Sequence, residues 1–111
     1  MLKITKETMF ADFTFYTARY DRAVGKGDSA HKAVADWISN SNYTVKMVCV
    51  EWTDFKGFEQ QSYFTDYASA AARFDELLST GIAEYATIVG YSDDTMYAEC
   101  VELADSRTWG R

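Results

Sequence analysis

Apolar and polar positions alternate with two different periods along this chain, and the change of period divides it into elements. From Thr5 to Val24 the residues Met9, Phe10, Phe13, Tyr16, Thr17, Tyr20 and Val24 recur at helical spacing. A 3.6-residue period of this kind predicts a long amphipathic helix. Thr5 suits its N-cap, and Glu7 falls in the first turn, where the helix dipole favours a negative charge. Gly25 and Gly27 are the expected stop. Asp28 is the expected cap of a second helix ending near Ser39, with Ala30, Val34, Trp37 and Ile38 on its apolar face. The short Gly25-Lys26-Gly27 link implies a helical hairpin or a bent pair. Asn40-Ser41-Asn42 is a polar break.

Beyond it the period shortens. Tyr43 to Thr53 reads as a strand with apolar groups on both faces (Val45, Met47, Val48, Cys49, Val50, Trp52), as a central strand requires. Asp54-Phe55-Lys56-Gly57 reads as a turn. A second strand follows from Phe58 to Phe64, solvated on one side at Glu59, Gln60 and Gln61. Asp66 caps a third helix to about Leu78, with Tyr67, Ala71, Phe74 and Leu78 on one face and Gly81 ending it. Glu84 to Tyr91 and Met96 to Leu103 are the last two strands, joined by a four-residue loop at Ser92-Asp93-Asp94-Thr95. The tail from Ala104 to Arg111 reads as loosely ordered, with Trp109 as an anchor.

The predicted order is α-α-β-β-α-β-β. It implies an α+β fold, a four-stranded and mainly antiparallel sheet with helices packed against it. The 111 residues suit a single domain over 1–111. An echo at an offset of 39 aligns Ala33 with Ala72, Asp36 with Asp75, Ile38 with Leu77, Val50 with Val89, Trp52 with Tyr91 and Asp54 with Asp93, the pattern of an αββ pseudo-repeat.

Composition narrows the class. Hydrophobic residues make up 48%, including 7 Phe, 8 Tyr and 3 Trp, enough for a packed core and too many for a disordered chain. There is no Pro, so no slow prolyl isomerisation is expected in folding. No apolar run approaches the ~20 residues that span a bilayer. The N-terminus soon meets Glu7 and Asp12 without an apolar core, so no signal peptide is expected and a cytoplasmic location follows. Cys49 and Cys100 lie in apolar strand-like runs and read as two buried thiols in a reducing compartment, with a disulfide between neighbouring strands as the other reading.

The net charge of −6 argues against direct nucleic-acid binding and against an anionic membrane. It is also uneven. Residues 1–50 carry 7 Lys and Arg against 5 Asp and Glu, whereas residues 51–111 carry 4 against 12. Glu84, Asp93, Asp94, Glu99, Glu102 and Asp105 gather in the last hairpin and its exit. Such a face either keeps the protein soluble or steers a basic partner toward it. Strict alternation places Glu99 and Asp105 on the side of Val101 and Leu103, and Glu102 opposite, with Cys100. That split weakens mimicry of a nucleic-acid backbone.

No catalytic motif emerges. His31 is the only histidine and has no cysteine or second histidine near it in sequence, so no zinc site can be written. Asp93-Asp94 lacks the ligand spacing of a calcium loop. Gly25-Lys26-Gly27-Asp28-Ser29 lacks both the Walker spacing and a preceding strand in this reading. A Cys49–His31 or Cys100–His31 pair needs the fold to bring its members together. Of the aromatics, Phe15 falls off the first helix's apolar face, and Phe55 and Phe58 flank Gly57 in a turn, where they either fold back on the sheet or anchor an interface.

These features point to a small acidic intracellular protein-binding module, an inhibitor or adaptor of the kind phages and mobile elements encode. It would need no cofactor and no catalytic or metal site. Its expected partner is a protein, with a basic nucleic-acid-binding surface as one fit. The expected contact residues are Phe55, Phe58, Asp93, Asp94, Glu99 and Glu102. Two alternatives stand beside this. One is a ligand-binding protein or enzyme with Tyr16, Tyr20, His31 and Trp37 lining a pocket between helices and sheet. The other is a homo-oligomeric structural protein that pairs through a sheet edge or its first helix.

Overall fold

The computed structural model describes residues 2–9, 13–92 and 100–109. The chain divides into two compact units, Met1–Thr44 and Val45–Arg111.

In the first unit, strands β1 (Lys3–Met9), β2 (Phe13–Tyr20) and β3 (Ala23–Gly27) form an antiparallel sheet in chain order, followed by helix α1 (Ala30–Asn40). The long helix expected over Thr5–Val24 is therefore a strand meander. The reason lies in the residue types. This stretch is rich in Thr and aromatic residues, which suit a pleated, half-buried surface better than a helix. Aromatics occupy both faces of β2, with Phe13 and Phe15 on one and Tyr16 and Tyr20 on the other. Two-sided placement fills enough positions to satisfy a helical period by coincidence. β2 and β3 are joined by Asp21 and Arg22, both at positive φ (49° and 67°), the two-residue turn whose twist matches the flanking strands.

Gly25 and Gly27 do not stop a helix; they let one in. A Cβ on Gly25 would lie 2.6 Å from Trp37 Cα and closer still to Trp37 N and Ala33 O. A Cβ on Gly27 would lie 2.6 Å from Lys32 Cβ. Helix α1 thus rests directly on the main chain of β3. It also occupies the outer edge of that strand: Lys26 N–H donates to Asp36 Oδ2 (2.9 Å), and Asn40 Nδ2 donates to Val24 O (3.0 Å). Ser29, not Asp28, caps α1, accepting from Lys32 N–H at 3.2 Å; Asp28 instead pairs with Lys32 Nζ. The helix buries Ala33, Val34 and Trp37. Trp37 is fully buried, donates Nε1–H to Tyr20 O (3.0 Å), and packs between the rings of Tyr20 and Tyr43.

The second unit bears out the α+β reading. Strands β4 (Met47–Asp54), β5 (Glu59–Phe64), β6 (Ala83–Tyr91) and β7 (Cys100–Asp105) form an antiparallel sheet in the order β5-β4-β6-β7, with helix α2 (Tyr67–Ser79) between β5 and β6 in sequence. β4 is central, as its two-sided apolar pattern required, and Val48, Cys49 and Val50 are fully buried. Asp66 caps α2 through Ser69 N–H (2.8 Å). The helix buries Tyr67, Ala70, Ala71, Phe74 and Leu77 against the sheet, so Leu77 takes the place expected for Leu78. The αββ order recurs after β3, but Val50 lies on the α2 face while Val89, opposite Cys49, lies on the other.

The segment after β7 is held rather than loose. Ser106 exchanges bonds with Ala86, donating its N–H to Ala86 O (3.0 Å) and accepting Ala86 N–H at Oγ (2.9 Å). Thr108 and Trp109 N–H groups both donate to Asp105 O, and Trp109 meets Phe74 edge-on at 5.5 Å. Trp109 is thus the anchor its sequence suggested. Among the described residues no helix is long and apolar enough to cross a membrane.

Because the Gly25 contact is with main-chain atoms, Gly25→Ala cannot be relieved by a rotamer change. It should lower the unfolding free energy by about 3 kcal/mol or more in a urea titration. A change below about 0.5 kcal/mol would disprove the direct helix–strand contact.

Candidate interaction surface

The turn between β4 and β5 is organised by Asp54. Its N–H donates to Phe58 O (3.0 Å), and its carbonyl accepts from Gly57 N–H (3.1 Å). Its carboxylate Oδ1 accepts the N–H groups of Lys56 (2.9 Å) and Phe58 (3.0 Å). Gly57 takes φ +87°, a conformation that favours glycine. With its backbone so constrained, the turn does not fold its aromatics back on the sheet. Phe55 is 68% exposed and Phe58 62% exposed.

The same two strands carry one side of an open sheet face. Side chains alternate across β4, so Val48, Val50 and Trp52 face α2 while Cys49, Glu51 and Thr53 face away. Tyr85, Thr87 and Val89 of β6 join that second face, with Glu59, Gln61 and Tyr63 of β5. All residues of this second face but Cys49 and Tyr63 line, with Glu102 and Arg107, a shallow polar recess of about 360 Å³. Along its rim Tyr63 Oη donates to Gln61 Oε1 (2.7 Å), and Gln61 Nε2 reaches Glu51 Oε1 at 3.5 Å.

β7 departs from simple alternation. Ala104 stands opposite Ile88 and Glu102 opposite Val89, so Leu103 is the extra residue of a bulge. The bulge turns Asp105, opposite Thr87, onto the face of Glu102 rather than that of Val101 and Leu103. The expected split of these two acids is thereby corrected, while Glu102 does share its face with Cys100.

Their electrostatics differ. Asp105 is buried, which by itself raises its pKa, but Arg107 outweighs this and holds it below the usual carboxylate range. The guanidinium grips it at two points, Nε to Oδ1 and Nη2 to Oδ2, both 3.1 Å, and lies over the Tyr85 ring at 4.6 Å. Glu102 is raised, by burial first and by the Asp105 charge second, with Arg107 opposing. The open face therefore presents Glu51, Glu59 and Glu102 around an acid already paired with its own arginine.

Of the expected contact residues, the structure exposes Phe55 and Phe58 and places Glu102 on the open face. Asp93, Asp94 and Glu99 lie outside the described residues, as do Thr95 of the expected loop and the first four residues, 96–99, of the expected last strand. Glu51, Glu59 and Arg107 belong to the surface and were not singled out from sequence. The alternation of β4 and β5 placed the first two on one face, but only the strand order joins that face to Glu102. The cysteines differ from expectation, since Cys100 is exposed. β6 lies between their strands, at a separation of roughly 10 Å, too far for a disulfide. Burial and the neighbouring Glu51 push the Cys49 thiol up to about 11. Among the described residues no group of three His, Cys, Asp or Glu side chains is placed to hold a metal ion. Comparison with protein-family models, curated proteins and solved structures gives no match.

Thiol titration of the native protein should show one fast-reacting cysteine, Cys100, with Cys49 reacting only on unfolding. Two fast thiols would refute the burial of Cys49.

The two carboxyls should also separate by pH. The raised Glu102 costs stability while ionised, and this cost is relieved as pH falls through its raised value to its ordinary range near ~4.3. Glu102→Gln should therefore be more stable than the wild type at pH 7, with the advantage shrinking in acid. The depressed Asp105 contributes stability above its ordinary ~3.9 that is lost as pH falls further. Asp105→Asn should lower the melting temperature at pH 7, with the deficit closing below that value. Parallel melting curves from pH 7 to pH 3 for either variant would contradict the assignment.

Proposed function

We propose that this chain is a small acidic protein-binding module, of the inhibitor or adaptor kind, that acts by contact. The observation carrying this reading is the pair Phe55 and Phe58, exposed on a turn whose main chain Asp54 fixes. Exposing two large aromatics to water is unfavourable, and rigid aromatic anchors are the residues that dominate protein interfaces, because little side-chain entropy is lost when they dock. The surrounding charge selects the partner. The Val45–Arg111 unit holds 12 Asp and Glu against 5 Lys and Arg, a net of −7. A basic protein surface with an apolar pocket at its centre fits this arrangement, including surfaces that otherwise hold nucleic acid. Charge of this kind speeds encounter, and the aromatic anchors slow release.

Capture from a lysate of the producing cell tests the reading. Wild-type protein should retain a basic protein at low salt and release it at high salt. Phe55→Ala/Phe58→Ala should weaken that complex at least about tenfold, while the melting temperature stays within about 2 °C because neither ring is buried. Undiminished capture by the double variant would exclude the turn as the anchor.

A further inference from the structure

The two sheets have four edges, and they are not equally protected against pairing with another strand. The outer edge of β3 is occupied by Asp36 and Asn40 of α1. β1 carries the exposed Lys3 and Lys6. β7 is interrupted by the bulge at Leu103. Lysines, bulges and covering helices are the devices by which proteins blunt sheet edges. β5 has none of them among the described residues. It runs in unbroken register with β4 from Glu59 opposite Thr53 to Phe64 opposite Val48, and its one charge is Glu59 at its start. Among the described residues the order β5-β4-β6-β7 gives it a single neighbour.

The phase of the ladder identifies the groups on offer. Asp54 N–H to Phe58 O makes that pair a hydrogen-bonded one, so by alternation Gln60 and Ser62 bond to β4. Glu59 and Gln61 then direct their main-chain N–H and C=O groups away from β4, and both residues are exposed.

We infer that β5 is a strand-addition site, taking an extended segment of the partner with Lys or Arg at alternate positions. This rests on the protein-binding reading above and names how the partner engages. The occupant follows from charge. An added strand places every second side chain on the side of the open face, beside Glu59 and Gln61 of β5, with Glu51 one strand further in. A second copy of this chain would instead bring another unit of net −7 against the first. The turn carrying Phe55 and Phe58 leads directly into β5, so one segment of partner can meet both the anchors and the edge.

The probe is a blocked peptide of about eight residues alternating Lys and Thr, compared with the same peptide N-methylated at alternate residues so that it cannot complete a ladder. In the free 111-residue protein the Glu59 and Gln61 amides should exchange with solvent faster than those of Gln60 and Ser62. The unmodified peptide should slow exchange at Glu59 and Gln61 and bind at least about tenfold tighter than the methylated one. Gln61→Pro, which removes an outward donor without removing a β4–β5 bond, should abolish that difference. Equal binding of the two peptides to the wild type, or no protection in β5, overturns strand addition. If the aromatic double variant has by then lost the natural partner, the protein-binding reading survives that failure. A concentration-dependent dimer without peptide, dissolved by Gln61→Pro, overturns the choice of occupant and assigns the edge to a second copy.

Discussion

Strand β4 is paired along both edges and buried at its centre, and the rest of its unit takes its position from that confinement. β5 and β6 satisfy its main-chain groups on either side, while Val48, Cys49 and Val50 are withdrawn from water at its centre. A strand enclosed in this way cannot slip by one residue, because each side chain would change faces and buried apolar groups would exchange with Glu51 and Thr53. Register therefore propagates outward. It puts Ile88 and Ala86 under α2, sets Glu51 beside Thr87 on the open face, and projects the turn at Asp54 beyond the sheet. The candidate surface is a consequence of this central strand.

The smaller unit solves a related problem differently. Its sheet has three strands and one covering helix, so little apolar area is at hand. Glycine at two positions of β3 brings α1 into main-chain contact, and Trp37 then fills the remaining depth from a single residue. The same approach lets Asp36 and Asn40 occupy an edge that would otherwise be open. Packing and edge protection are thus achieved by one helix placement.

At the surface, two kinds of interaction are separated in space. The phenylalanine pair is apolar and rigidly presented; the open face is polar and mostly acidic. Arg107 prevents the acids from acting as one cluster, because it neutralises Asp105 and leaves Glu102, Glu51 and Glu59 as the acids of the open face.

The sequence by itself determined the fold class, the four-stranded antiparallel sheet, the central position of β4 and the cap at Asp66. Each depends on contacts between residues near in sequence or on a two-sided apolar pattern. It also singled out Phe55 and Phe58, since Asp and Gly at a turn mark a local geometry. It misled between Thr5 and Val24, where aromatics on both faces of β2 imitate a helical period and no proline marks the turns. Only the tertiary structure decided the rest. That Gly25 and Gly27 admit a helix, that a bulge brings Asp105 beside Glu102, that β6 separates the two cysteines and that β5, among the described residues, carries no bulge, lysine or covering helix are all relations between residues distant in sequence. Strand order and register create them, and neither is written in the period of a single segment.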